Sequence, residues 1–369
     1  MKRCIALVLI CMMMLYCFSG CSYGKEQDKE VITTTEGNSK LNTQFSEYGK
    51  NTIRKSNIID AMVNSAKTKE NIESTTGNNK NGETKNATGL TTATLPNIRN
   101  DVYEEGKVCV QNSEFTISEE LLDEINNVII GYGSQSSFYV VSMEDNMTFG
   151  YNPDMVFETA STIKAPFALY CFKEIAAGNG SLSEEKVYEE RFYRDGSGIL
   201  QYEPIGGIYT LEQLLFYTID CSDNIAYYMI HDRFWNEGYN NMLKDLGCEQ
   251  YYLPNGSRWG WASPKSAALI WREIYKFSKE CYEGDIYFNM LLNAQYSYIK
   301  PGLPEYKSAH KSGWTEVLCH DTGIVFAEKP YIIAIMTDNS GYWSGSEQIR
   351  KLSICADKVM KEYVLWLEN

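Results

Sequence analysis

The sequence predicts an α+β domain in which one antiparallel sheet, flanked by helices, is completed by the two ends of the folded part and an all-helical subdomain is inserted between them. Three observations predict it. Strand-like runs gather near residues 138–151 and again at 306–337, helix-period runs with recognisable caps fill the interval, and a polar stretch of a different texture precedes both.

The elements follow in chain order. Lys2 and Arg3 stand before an apolar run from Cys4 to Phe18 that is too short for a comfortable membrane span, which reads as a targeting leader over residues 1–21. Phe18, Ser19, Gly20 and Cys21 resemble a bacterial lipobox, although Phe18 is an unusual leader for it. The resemblance implies lipidation at Cys21 and an extracytoplasmic, membrane-anchored protein; a plain secretory signal cleaved nearby is the alternative. Residues 22–110 are rich in Asn, Thr, Lys, Gly and Ser and hold no sustained apolar period. Such a stretch buries too little surface to offset its ordering entropy and is expected to be a tether.

The folded domain is expected over residues 111–369. An amphipathic helix covers 118–131, and Phe138 to Met143 is a strand that turns through Glu144, Asp145 and Asn146 into Met147 to Tyr151. A helix runs from Ser161 to about Ala177, with Pro166 near its start, where a missing N–H costs least. Thr210 and Gln213 form a capping box for a helix reaching Thr218, and Ser263 with Pro264 opens another reaching Lys279. Strands are expected at Tyr306 to Ser312, Thr322 to Ala327 and Tyr331 to Thr337, the last two joined by the turn Glu328, Lys329, Pro330. A helix from Glu347 to Leu367 ends the chain.

The formal charge is −14; Lys2 and Arg3 are positive, the stretch 22–108 is balanced, and the remainder carries −16. So acidic a domain argues against nucleic acid as a partner, because phosphate binding needs clustered Lys and Arg. Outside the leader seven cysteines remain, Cys109, Cys171, Cys221, Cys248, Cys281, Cys319 and Cys355. They are expected to be mostly packed thiols, with one or two disulfides possible. No CxxC occurs, and His231, His310 and His320 make no zinc spacing with them, so no metal or cofactor is expected. His310 is read as structural.

Chemistry concentrates in three short motifs. Ser161 lies three residues before Lys164, a spacing that puts a hydroxyl and an amine on one side of a helix, where the amine can take the hydroxyl proton. The same spacing begins at Ser22, Ser183, Ser297 and Ser308, but only Ser161 leads into an apolar helix (Ala165, Phe167, Ala168, Leu169) able to bury the lysine and depress its pKa. Ser222, Asp223 and Asn224 follow the capped helix, and Lys311, Ser312 and Gly313 lie on a strand. Singly, each motif is explained by a helix start, an N-cap or a solvated strand end.

Together, in this order and in these contexts, residues 161, 222 and 311 resemble the S-x-x-K, S-D-N and K-[ST]-G motifs of penicillin-binding proteins and class A β-lactamases, over roughly residues 115 to 369. The resemblance implies a β-lactamase/transpeptidase-like fold. Ser161 would be the nucleophile, Lys164 its proton acceptor and Ser222 the proton relay to the departing nitrogen. Asn224 would hold the substrate's side-chain amide, and Lys311 and Ser312 its carboxylate. Gly313 would leave room for the substrate along the strand, and the N–H groups of Ser161 and Trp314 would form the oxyanion hole.

One expected part is missing. Class A β-lactamases activate the deacylating water with a glutamate in a loop between the second and third motifs; the corresponding residues 247–262 show only Glu249, close to the preceding helix. Acylation is therefore better supported than turnover. The leading expectation is a β-lactamase-like serine hydrolase acting on β-lactams or related amides as a monomer; the alternatives are a D,D-peptidase of peptidoglycan stem peptides and a non-hydrolytic penicillin-binding sensor.

Overall fold

The computed structural model describes residues 101–145, 147–339 and 342–369. The expected leader, the lipidation site Cys21 and most of the expected tether lie outside these residues.

Six strands form the central sheet: β1 (Val108–Gln111), β2 (Ser136–Ser142), β3 (Thr148–Tyr151), β9 (Lys307–Trp314), β10 (Cys319–Phe326) and β11 (Tyr331–Thr337). Their spatial order is β1-β3-β2-β11-β10-β9, and every neighbouring pair is antiparallel. The two ends of the domain meet at the β2–β11 pair, where Phe138 faces Ile335 and Val140 faces Ile333. Both strands are buried along their whole length, as suits a sheet covered on both faces.

Helices α1 (Glu119–Gly131) and α8 (Tyr342–Leu367) close one face, burying Leu121, Ile125, Ile349, Leu352 and Val359 against Phe138, Val140, Ile333 and Ile335. The other face meets α6 (Pro264–Phe277), which continues into the helical subdomain of α2 (Lys164–Ala176), α3 (Leu211–Asp220), α4 (Asn224–Arg233), α5 (Asn236–Asp245) and α7 (Tyr282–Leu292). The short pairs β4 (Phe157–Glu158) with β8 (Trp261–Ala262), β7 (Tyr251–Tyr252) with β8, and β5 (Glu185–Val187) with β6 (Ile208–Thr210) complete the fold.

The caps form as read. Thr210 Oγ1 accepts from Gln213 N at 3.2 Å while Gln213 Oε1 accepts from Thr210 N at 2.9 Å, and Ser263 Oγ accepts from Ser266 N at 3.2 Å.

One boundary is revised. Residues 101–110, assigned to the tether, belong to the domain: β1 extends the sheet, and Asp101 Oδ2 accepts from Tyr139 Oη and Thr148 Oγ1, both at 2.6 Å, while its carbonyl accepts from Lys265 Nζ. This short polar segment hid one buried residue, Asp101, that three distant elements hold. As expected, Cys171, Cys221, Cys248, Cys319 and Cys355 are buried as small apolar side chains, and among the described residues no disulfide joins the seven cysteines.

Candidate active site

The three motifs converge where the sheet edge meets the helical subdomain. Ser161 sits in a 3₁₀ turn, Ala160–Ile163, that feeds directly into α2, so the expected helix begins three residues later than read and Ser161 lies on its tighter lead-in. In a 3₁₀ turn residues three apart eclipse, which keeps Ser161 and Lys164 on one side. Ala160 holds φ at 43°, a strained conformation for a side chain with a Cβ, and Ser222 holds 56°. Both outliers flank the reactive groups, where such strain is tolerated for geometry's sake.

Lys164 is fully buried, whereas Ser161 is half-exposed. The Lys164 amine donates to Ser222 O at 2.6 Å, Asn224 Oδ1 at 2.7 Å and Ser222 Oγ at 3.2 Å. From the other side Lys311 Nζ donates to the same Ser222 Oγ at 3.1 Å and to Ser312 O at 2.9 Å. Ser222 thus bridges the two amines. Burial, then the Lys311 charge, push the Lys164 amine well below the ordinary lysine value, against the opposing pull of Asp223 and Cys221. Burial also brings Lys311 down to about 8, with Asp321 and Cys221 acting to hold it up. A neutral Lys164 needs two N–H groups for Ser222 O and Asn224 Oδ1, which leaves its lone pair for a proton.

Asp223 organises the second motif. Its Oδ1 caps α4 through Ile225 N at 2.8 Å and Ala226 N at 2.9 Å, while Oδ2 accepts from Ile199 N at 2.6 Å and Leu200 N at 2.8 Å. The loop before Ile199 is drawn onto the motif: Asn224 N donates to Ser197 O, and Asn224 Nδ2 donates to Asp195 O at 3.1 Å. Gly198, with φ of 109°, lies where any Cβ would overlap the Asp223 carboxylate. One Asn224 N–H is therefore spoken for and one remains for a substrate amide.

On β9 the alternation turns Lys311 and Gly313 toward Ser222 and the Ser161 turn and puts Ser312 and Trp314 on the other side of the strand. A Cβ on Gly313 would stand 2.7 Å from Ser161 N and 2.8 Å from Thr162 N. Beside the room for a substrate expected from sequence, the glycine lets β9 approach the Ser161 turn itself and keeps the space before the Ser161 N–H open. Ser312 is buried and its Oγ donates to Tyr296 O at 2.9 Å, so it can donate to a substrate carboxylate only by turning its proton from that carbonyl. Trp314 stays half-exposed, packed edge-on against Tyr342 at 5.5 Å. His310 is buried away from these contacts, and His320 is held by Thr337 N and Glu158 O.

The family model described as the beta-lactamase enzyme family matches residues 120–360, most of the chain and all three motifs. The chain belongs to this family. Solved structures similar to it include a beta-lactamase from Sphaerobacter thermophilus and PBP-A, each at 23% identity with a TM-score of 0.61, covering 66% of this chain and 97% of theirs. A mutant of PBP-A solved as an acyl-enzyme complex with penicillin G matches at 22% identity and a TM-score of 0.60, covering 66% of this chain and 96% of that one. A curated relative, Beta-lactamase VEB-1 of Pseudomonas aeruginosa, is 30% identical over 111 residues, which are 30% of this chain and 37% of that protein.

Against this β-lactamase background the loop of residues 247–262 stands out. The β4–β8 pair and the Thr159 N to Gly260 O hydrogen bond, 2.9 Å, fasten it beside the Ser161 turn. Glu249 is exposed at its far end. What the loop brings to the site is Trp259, whose ring centre lies 5.7 Å from Lys164 Nζ, beside Tyr227 at 5.8 Å. Ser257 Oγ donates to Trp259 O at 2.7 Å and accepts from Trp259 N, and Tyr227 Oη donates to Arg258 O, so the indole is fixed. Sequence reasoning missed Trp259, Tyr227 and the Asp195–Gly198 loop. The two closely spaced glycines 196 and 198 were the available signal for the last.

Proposed function

We propose that this protein is a penicillin-recognising serine hydrolase that forms an acyl-enzyme on Ser161 with β-lactams and releases it slowly. The observation that carries the reading is the Lys164–Ser222–Lys311 chain of hydrogen bonds beside a half-exposed Ser161. Ser161 Oγ attacks the lactam carbonyl carbon as Lys164 Nζ takes its proton. The carbonyl oxygen gathers charge at the Ser161 and Trp314 N–H groups. The C–N bond then breaks as the Ser222 hydroxyl gives its proton to the leaving nitrogen and is reprotonated from Lys164. Ring opening leaves an ester on Ser161 and regenerates a neutral Lys164.

Release needs a water and a base. The ionisable groups that act on Lys164 are Lys311, Asp223 and Cys221; burial keeps the Cys221 thiol protonated, and Asp223 is committed to four backbone N–H groups. Beside Lys164, among the described residues, stand the rings of Trp259 and Tyr227 rather than a second, free carboxylate. Missing general-base help slows a step by about 10²–10⁴. The leader and tether read from sequence further support export and lipid anchoring at Cys21, on the outer side of a membrane.

The test is a time course of benzylpenicillin release. An adduct that decays over minutes supports the reading; hydrolysis of a chromogenic cephalosporin at tens of turnovers per second would overturn its slow step. Cleavage of a D-Ala-D-Ala peptide faster than any β-lactam would favour the peptidase alternative.

A further inference from the structure

Behind the cleft face of β9 the packing is polar, and Asp321 lies at its centre. This residue faces Ser312 across the β9–β10 pair and is fully buried. Its Oδ2 accepts from Ser297 Oγ at 2.8 Å, Tyr298 N at 2.6 Å and Ile299 N at 3.0 Å, an arrangement that suits a carboxylate. The same loop supplies the Tyr296 carbonyl that takes the Ser312 hydroxyl proton. One acid therefore holds the turn that holds Ser312.

Asp321 also acts on Lys311. The strand alternation places the two side chains on opposite faces of the sheet, and no ion pair joins them among the described residues, so their attraction works through buried backbone, where charges are poorly screened. The other groups that face this pair are Lys164 from α2, Cys221 from the turn before Ser222, and His310 and Lys300 on the Asp321 side. Among the charges acting on Lys311, Asp321 is the foremost. Nothing in the Ser161 chemistry uses it.

We propose that Asp321 is a positioning residue for an anion subsite: by gripping the 297–299 turn it fixes the Ser312 oxygen, whose proton turns from Tyr296 O to a substrate carboxylate, and by placing a negative charge behind Lys311 it keeps that lysine as the carboxylate's cation. This rests on the acylation reading above. The cost is visible in the same geometry, because Asp321 Oδ1 is buried without a hydrogen-bond partner among the described residues.

The experiment compares benzylpenicillin with its methyl ester, which lacks the carboxylate, as acylating probes across pH 6–10 on the full chain. Asp321→Asn keeps an acceptor for the turn and removes the charge. For benzylpenicillin the alkaline fall in acylation rate should move to lower pH by about one unit, and the methyl ester should show no such movement. Ser297→Ala, which loosens the grip but keeps the charge, should slow benzylpenicillin more than the ester and leave the alkaline fall in place. An unmoved fall in Asp321→Asn would overturn the role. If that variant does not fold, equal slowing of both probes by Ser297→Ala would overturn it. Wild type that gains no adduct at all would overturn the acylation reading itself, and this inference with it.

Discussion

Replacing Gly313 by alanine tests whether the third motif shapes the oxyanion site or merely supplies a lysine. The added methyl carbon would sit 2.7 Å from Ser161 N and 2.8 Å from Thr162 N, about 0.7 Å inside ordinary contact, and both obstacles are backbone rather than the pliant end of a side chain. Either β9 or the Ala160–Ile163 turn must retreat, and the space in front of the Ser161 N–H is lost. Removing one oxyanion donor costs about 10²–10³ in rate, or about 2.7–4 kcal/mol of barrier. Overpacking of this kind costs about 1–3 kcal/mol of stability. The second-order rate of labelling by a fluorescent penicillin should fall by that factor while the variant still folds by circular dichroism and urea titration. Labelling within a few-fold of wild type would refute the claim that β9 and the serine turn jointly shape the oxyanion site.

Lys164→Arg keeps the charge but removes a group able to release its proton, and should leave no detectable adduct by intact mass; near-normal labelling would remove Lys164 as the base. Because burial holds Lys311 near 8, its cation is present below that pH and lost above it, so acylation by benzylpenicillin should fall as pH rises through about 8 while acylation by the methyl ester should not. Deleting residues 22–100 should leave urea unfolding of the domain unchanged, but extending the deletion through residue 103 removes the Asp101 acceptor from buried Tyr139 and Thr148 and should cost about 1–3 kcal/mol.

The candidate catalytic groups were legible because each is a chemical type at a fixed spacing in a recognisable local context. Ser161, Lys164, Ser222, Asn224 and Lys311 come together, and Thr210, Gln213, Ser263 and Pro264 mark helix starts where local hydrogen bonds alone decide the outcome. The residues that escaped act through the tertiary fold. Trp259 and Tyr227 meet at Lys164 from elements 32 residues apart in sequence, and nothing in either segment's periodicity announces the meeting. Asp321 lies one residue before the strand expected at Thr322 and carries no signal until the 297–299 turn is seen to end on it. Asp101 sits in a stretch whose composition resembles the tether before it, and its burial depends on Tyr139, Thr148 and Lys265. The role of Gly313 was read from the substrate's side, whereas its tightest constraint comes from the protein's own backbone.

Whether Ser161 is the acylated nucleophile is tested most directly by intact-mass spectrometry after incubation with benzylpenicillin, followed by peptide mapping. The expected result is a gain of one penicillin per chain, carried by the peptide containing Ser161, persisting for minutes and absent from Ser161→Ala. An adduct retained by Ser161→Ala, or mapped to any other residue, would contradict that assignment.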